Sequence, residues 1–259
     1  MQTRLTAVAI MLLICASVTF ATPAITFVSP TPDNHTAITS TGIYVNTTTT
    51  NSSAAFIDWN RMLVGYWAFE ESSTTSTVYD NSTWANDGKL IGATRISSGK
   101  FGKAVVLDGL AGYVDVPKSD SLNFNEATEF TAEMWVKVDT YNPLADSTLI
   151  SKGKGDKPSF LRWSLGTSNG DYHIRLNGDG DWDSIVVTKK ITVGTWHHCA
   201  IVFNGSEQKI YSYLDGVLIA TNNSVNKKLK DATTNPDNIR FGTQSIGGDY
   251  LDGTIDEVR

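Results

Sequence analysis

The chain has 259 residues, 41% of them hydrophobic, and a formal net charge of −6 at pH 7. That length suits one large all-β domain or two small ones, and 7 Trp, 9 Tyr and 10 Phe can fill a sizeable core. The mild negative charge argues against a nucleic-acid partner, because a phosphate-binding surface needs a clustered positive field.

The first 21 residues have the pattern of a signal peptide. Arg4 gives a positive start, residues 5–20 form an apolar stretch, and Thr19 and Ala21 place small residues before a cleavage site after Ala21. The stretch is shorter than the ~20 apolar residues of a membrane span. We expect export with cleavage, and an uncleaved anchor is the alternative.

Cysteine and sequon usage agree with export. Removal of the signal leaves Cys199 alone in the apolar run HCAIVF, which predicts a buried, inert thiol and no internal disulfide. Asn-X-Ser/Thr sequons make six asparagines glycosylation candidates in a glycosylating host: Asn34, Asn46, Asn51, Asn81, Asn204 and Asn222.

Residues 22–61 are rich in Thr, Ser and Asn. They contain three β-prone runs, at 25–32, 41–50 and 54–60, which are too few for an independent sandwich. We expect a linker or a partial β segment here.

From Met62 onward, strand patterns recur at the spacing typical of a sandwich or barrel. The run EFTAEMWVKV (129–138) alternates, which places Met134, Val136 and Val138 on one face. Thr131, Glu133, Trp135 and Lys137 share the other face. TWHHCAIVF (195–203) is apolar on both faces and predicts a central strand. The tryptophans within strong strand patterns, Trp67, Trp135 and Trp196, are predicted to be core residues.

The sequence predicts two β-hairpin turns. Asn169-Gly170 and Asp215-Gly216 supply the positive φ that type I′ hairpin turns require. An antiparallel meander across 160–221 follows from them, and the sequence has no amphipathic run with the helical period of 3.6.

Seven segments share one feature, a strand pattern bounded by Gly, Asn or Asp. They are GYWAFEE (65–71), DNSTWANDGKLIG (80–92), FGKAVVLDGLAGYVDVP (101–117), EFTAEMWVKV (129–138), TWHHCAIVF (195–203), YLDGVLIA (213–220) and YLDGTIDEVR (250–259). In this order they resemble the laminin-G-like domain of the concanavalin A-like lectin/glucanase superfamily. The resemblance implies a two-sheet antiparallel β-sandwich, a jelly roll, over residues 62–259, in a secreted or cell-surface protein. In the family the last strand continues past IDEVR, so C-terminal truncation is expected.

The superfamily includes glucanases, which raises the question of catalysis. Retaining hydrolysis needs two carboxylates about 5 Å apart, and enzymes of this fold carry them as Glu-X-Asp-X-Glu. Here Glu126, Glu129 and Glu133 lack the intervening Asp. We expect no catalytic residues and no enzyme activity. The pair His197-His198 does not predict zinc, because adjacent strand residues face opposite sides.

A structural calcium ion is the one cofactor that the sequence suggests. The resemblance places the loop with Asp80 and Asn86 near Asp256 of the last strand, and oxygen ligands suit Ca²⁺. Loop-capping hydrogen bonds from the same side chains are the other interpretation, and both stay open. The acidic run NGDGDWD (177–183) lacks the glycine and distal glutamate of a calcium loop, so a plain hairpin tip is favoured.

A glycan site needs an exposed aromatic ring with polar neighbours. Trp182 fits best, because it lies in a Gly-rich polar tip; packing onto a neighbouring loop is the alternative. The ligand-binding candidates are Trp182, Asp181, Asp183, Asn177 and Arg175. Trp84 is second.

Together these features predict an extracellular carbohydrate-binding or adhesive module without catalysis. Its partners are glycans or extracellular and cell-surface proteins, with no nucleic acid and no membrane insertion beyond the signal segment. A structural spacer in a large surface protein is the alternative, suggested by the Thr-rich segment and the sequons. A glycoside hydrolase is the weakest alternative.

Overall fold

The computed structural model describes residues 24–28, 46–50, 62–124, 129–142, 144–153, 160–165, 171–177, 182–187, 191–222, 237–244 and 247–259. The chain divides into two compact units, Met1–Phe56 and Ile57–Arg259. In the first unit, β1 (Ala24–Val28) pairs antiparallel with β2 (Asn46–Thr50). The signal segment and the predicted strand at 54–60 lie outside the described residues.

One sheet of the second unit has seven strands, and all of its pairings are antiparallel. In spatial order it holds β15 (Val217–Asn222), β14 (Lys209–Leu214), β13 (Trp196–Asn204), β8 (Phe130–Thr140), β17 (Asp252–Asp256), β6 (Ala104–Asp108) and β5 (Thr94–Ile96). The run predicted to be central, TWHHCAIVF, forms β13, which lies between β14 and β8.

The other sheet has eight strands and is also antiparallel throughout. In spatial order it holds β12 (Trp182–Val187), β11 (Tyr172–Asn177), β10 (Phe160–Leu165), β9 (Ser147–Lys152), β16 (Ile239–Phe241), β7 (Tyr113–Val116), β4 (Gly88–Ile91) and β3 (Thr77–Val78). The described helical structure is one 3-10 turn, Asp120–Leu122, and no described helix has the length and apolar character to cross a membrane. The two sheets form the predicted antiparallel β-sandwich.

The core lies between the two sheets. Met134, Val136 and Val138 are fully buried, which confirms the inward row predicted for β8. Trp67 and Phe241 meet edge to face there, with ring centroids 5.0 Å apart. Cys199 is a buried free thiol, as predicted.

The core assignment of two tryptophans was wrong. Trp67 is 3% exposed, whereas Trp135 and Trp196 are half-buried and lie outside the core cluster. Trp135 shares its face of β8 with Glu133 and Lys137, and a row that carries charges cannot turn into an apolar interior without unpaired buried charge. The charged neighbours therefore decided the orientation of the strand.

The predicted turn between β14 and β15 is present. Asp215 and Gly216 have φ angles of 51° and 77°, as a type I′ turn requires. The Asp215 carboxylate also accepts a hydrogen bond from the amide of His198 (2.9 Å), and its other oxygen lies 2.8 Å from Nδ1 of His197. The second predicted turn, at Asn169-Gly170, lies outside the described residues.

Candidate functional site

The outer surface of the seven-stranded sheet carries a row of aromatic rings. In the β8–β13 register, Trp135 lies opposite His198 and Lys137 lies opposite Trp196. Directly opposed residues in an antiparallel pair share a face, so these side chains lie together. On the next strand, Tyr213 lies opposite Ala200, which in turn lies opposite Glu133. We call the half-buried set Trp135, Trp196, His198, Tyr211 and Tyr213 the aromatic face.

The β5–β6 loop packs against Trp135. The Lys100 amine lies 4.1 Å from the indole centroid, and Phe101 meets the indole edge to face at 5.9 Å. The His198 ring lies 5.3 Å away on the neighbouring strand. Such contacts orient the ring, and a cation–π pair at a partly exposed site contributes about 0.5–1 kcal/mol.

An ion-pair chain borders the aromatic face. The Arg259 guanidinium binds Oε1 of Glu133 at 3.1 Å and Oε2 of Glu257 at 2.5 Å, and Tyr66 donates its hydroxyl hydrogen to Glu257 at 2.8 Å. Nε2 of His198 lies 3.5 Å from Oε2 of Glu133. Each of these side chains is thereby fixed by at least one partner.

The protonation states in this chain follow from its contacts. The hydrogen bond to His198 and the charge of Arg259 outweigh burial and lower the pKa of Glu133. Burial and the hydrogen bond to Glu257 raise the pKa of Tyr66. At neutral pH the border of the aromatic face therefore presents a carboxylate, a guanidinium and a neutral phenol, which are fixed acceptors and donors.

Asp256 anchors the β5–β6 loop beneath this surface. It lies opposite Trp135 in the β17–β8 register and is 0% exposed. Its carboxylate accepts hydrogen bonds from the amides of Phe101 (2.9 Å) and Glu257 (2.8 Å). Burial raises its pKa to about 7. Because the group is fully covered, it cannot contact a substrate on the surface.

The loop with Asp80 and Asn86 is closed by its own hydrogen bonds. Asp80 accepts from the amides of Tyr66, Ser82 and Asn86, each at 2.8 Å, and from the Ser82 hydroxyl at 2.7 Å. These four donors occupy both oxygens of the Asp80 carboxylate. Asn86 donates to the carbonyl of Val64 at 2.7 Å and to the Ser121 hydroxyl at 2.9 Å.

These residues as placed do not fit a cation. The oxygens of Asp80 already accept protein donors, and Asp256 shares no hydrogen-bond partner with Asp80 or Asn86 in the described part of the chain. No group of three or more His, Cys, Asp or Glu side chains suited to a metal ion is present among the described residues. Of the two interpretations that the sequence left open, the contacts favour the loop cap over a calcium ion.

The hairpin predicted to carry the glycan site lies at an edge of the eight-stranded sheet. β11 and β12 pair so that Asn177 lies opposite Trp182, and Arg175 lies two positions further along β11. Asp181 lies outside the described residues. So do the side chains of the other four candidates: Trp182, Asp183, Asn177 and Arg175.

The second sequence candidate, Trp84, is 52% exposed in the β3–β4 loop. Five strand spacings separate β4 from β11 in the sheet order, or about 24 Å at roughly 4.8 Å per spacing. Trp84 and the β11–β12 tip are therefore separate surfaces. The structure does not bring them into one site.

The sequons are distributed over both units. Asn81 is exposed, Asn204 and Asn222 are half-buried, and Asn46 begins β2. Asn34 and Asn51 lie outside the described residues. Glycosylation stays a prediction at all six.

Sequence reasoning missed the aromatic face, although the signal was present. The alternation of β8 already put Trp135 on the side of Glu133 and Lys137. A charged row on one face and an uncharged row on the other indicate which row meets water.

Comparison with protein families gives a match over residues 108–259 to a laminin G family model described as "Concanavalin A-like lectin/glucanases superfamily". The match spans more than half of the chain. The chain belongs to the concanavalin A-like lectin/glucanase superfamily. This confirms the resemblance drawn from the seven segments. Comparison with curated proteins found no match.

Several solved structures are similar to the chain in fold. Domain 4 of AbnA, a GH43 extracellular arabinanase from Geobacillus stearothermophilus in complex with arabinotriose, is 18% identical with a TM-score of 0.60, over 76% of this chain and 90% of that one. The binding domain of Paraclostridial Mosquitocidal Protein 1 is 19% identical with a TM-score of 0.57, over 75% and 47%.

The binding domain of Botulinum Neurotoxin DC in complex with SialylT is 15% identical with a TM-score of 0.56, over 77% of this chain and 48% of that one. The chain thus spans about half the length of the two toxin domains. At these identities the likeness shows the fold alone.

Proposed function

We propose that the second unit is a non-catalytic carbohydrate-binding or adhesive module, and that the aromatic face holds the glycan. One observation carries this proposal: Trp135 and Trp196 lie half-exposed on the outer surface of the sheet, beside Glu133 and Lys137. Sugar rings stack their C–H faces on indole rings, and their hydroxyls need fixed donors and acceptors nearby. The ion-pair chain at the border supplies such groups.

The similar structures support a glycan as the class of ligand. The arabinanase domain was solved with arabinotriose, and a neurotoxin binding domain with SialylT. Both are distant, so they support the class of ligand and leave the sugar open. An extracellular or cell-surface protein that carries such glycans is the corresponding macromolecular partner.

The β11–β12 tip is a second candidate surface within the same proposal. Trp182, with Asp181, Asp183, Asn177 and Arg175, offers an aromatic side chain among polar ones in the sequence. The register, which sets Asn177 opposite Trp182, keeps these two residues side by side on the backbone.

The state of two carboxylates supports binding without catalysis. A retaining glycosidase needs an acid and a nucleophile about 5 Å apart that both reach the sugar. Glu133 is held as an anion by Arg259 and His198, and Asp256 is fully covered. A glycoside hydrolase remains the weaker alternative.

We propose that the protein is secreted or displayed on the cell surface. The export pattern of residues 1–21 and the six sequons support this, as does the extracellular arabinanase among the similar structures. Recovery of the protein in the medium or on intact cells tests it, and exclusive recovery in the cytosol would contradict it.

A structural spacer without a ligand is the alternative, favoured by the Thr/Ser/Asn-rich residues 22–61. A glycan array probed with the purified chain separates the two. We expect saturable binding to at least one glycan class, with that glycan recovered intact after incubation. An array without saturable binding would support the spacer, and release of shorter sugars would support a hydrolase.

A further inference from the structure

A small apolar cavity lies between the two sheets, at the end of the sandwich where β9 ends and β16 begins. Its volume is about 50 Å³. Most of its wall is aromatic and aliphatic side chains, among them Trp67, Phe124, Phe130, Ile150, Ile239 and Phe241. Two cationic side chains also line it, Lys152 and Arg259.

The two cations differ in what neutralises them. Arg259 binds the carboxylates of Glu133 and Glu257. Lys152 is 3% exposed, and no carboxylate pairs with it in the described part of the chain. Its amine donates a hydrogen bond to the carbonyl oxygen of Asp237 at 3.4 Å, which is longer than the usual range for such bonds. Burial lowers the pKa of Lys152, and the charge of Asp237 offsets this only in part.

A buried ammonium group without a direct ion pair is costly, and an anion that enters the cavity would reduce that cost. Among the described residues, the cavity offers apolar walls and one cation, Lys152, that has no direct ion pair. A monovalent anion with an apolar tail suits that combination, whereas a phosphate or sulfate needs several donors for its oxygens.

We propose that this cavity binds a short aliphatic carboxylate of about two or three carbons, with its carboxylate on the Lys152 ammonium and its tail against the aromatic wall. The size follows from the volume: one water needs roughly 10–15 Å³ of such space, so about 50 Å³ accommodates on the order of three to five heavy atoms. The inference does not rest on the proposed glycan function.

The test titrates the full chain with sodium propionate, with sodium chloride exchanged to keep the ionic strength constant, and follows amide NMR shifts. We expect saturable shifts with a Kd on the order of 1 mM, as suits a ligand of about five heavy atoms. Propionamide has the same shape without the charge, and we expect it to bind at least about tenfold more weakly.

Two variants separate the cavity from a nonspecific amine effect. Lys152→Met keeps the length of the side chain and removes the charge, and Ala132→Leu fills the cavity from its wall. We expect both to weaken propionate binding at least about tenfold. Lys89→Met, which removes an exposed amine on β4, is the matched control and should bind as the wild type does.

If Lys152→Met fails to fold, Ala132→Leu and the propionamide comparison still test whether propionate binds in this cavity through its charge. Equal binding of propionate and propionamide, or unchanged binding in either cavity variant, would overturn the proposal. So would the lack of a saturable response to propionate up to roughly 100 mM.

Discussion

The two faces of β8 show how one strand serves two purposes. The inward row, Met134, Val136 and Val138, is fully buried between the sheets. The outward row alternates with it and carries Glu133, Trp135 and Lys137 at half-buried positions. The difference shows that ring size does not decide burial: the large indole of Trp135 lies outside because its row carries charge, and the smaller side chains form the interior.

The largest difference between the two rows should appear in stability. Met134→Ala leaves a cavity in the core and should lower the free energy of unfolding by about 2–5 kcal/mol. Trp135→Ala removes a larger side chain from the surface and should cost about 1 kcal/mol. Urea denaturation of both variants measures this. An equal loss for the two would mean that Trp135 is a core residue.

A second prediction concerns the loop closed by Asp80. Asp80→Ala removes a carboxylate that accepts four hydrogen bonds and leaves one buried and two half-buried amides unpaired, so we expect a loss of about 3 kcal/mol. Thermal and urea unfolding measure it. Ser98→Ala, in the β5–β6 loop, is a control for which we expect no change beyond about 0.5 kcal/mol.

The same loop gives the test of calcium. Protein donors already occupy both oxygens of Asp80, so we expect the melting temperature in EDTA to equal that in calcium. A melting temperature that falls by several degrees in EDTA and is restored by calcium, with no such change in Asp80→Ala, would show that this loop binds calcium.

A third prediction uses the buried acid beneath the aromatic face. The folded-state pKa of Asp256 is raised to about 7 from 3.8, so between these values the folded chain holds a proton that the unfolded chain releases. Stability from this group is therefore greatest at low pH and falls as pH rises toward 7, by about 2–4 kcal/mol.

Asp256→Asn removes the titration. We expect the stability of the variant relative to the wild type to rise between pH 4.5 and pH 7.5, because over most of this range the unfolded wild-type chain has released the proton that the folded chain still holds. Urea unfolding across that range measures the difference. A constant difference would contradict the raised pKa. Asp139→Asn, at an exposed position on β8, is the matched control.

Much of the fold could be predicted because it depends on local patterns. The alternation of β8, the Asp215-Gly216 turn and the apolar run of β13 each fix a strand or its end. The position of β17 between β8 and β6 could not be predicted from its own pattern, because strand order depends on contacts between segments far apart in sequence.

The candidate site was predicted less well for the same reason. Trp182 and Trp84 stood out by their polar neighbours in sequence, whereas the neighbours of Trp135 come from other segments: Lys100 and Phe101 from a loop, and His198 from β13. The closed hydrogen-bond set of Asp80 likewise needs Tyr66, 14 residues away. Local composition cannot reveal a site that is assembled across strands.

The most direct test of the central claim is the affinity of the strongest array glycan for the wild type, Trp135→Ala and Trp84→Ala, measured by isothermal titration. Stacking on an aromatic ring contributes about 0.5–1.5 kcal/mol beyond the apolar area that it buries. We therefore expect Trp135→Ala to weaken binding roughly tenfold with the fold intact by circular dichroism. Trp84→Ala should bind as the wild type does. Unchanged affinity in Trp135→Ala, or its loss in Trp84→Ala, would contradict a glycan site on the aromatic face.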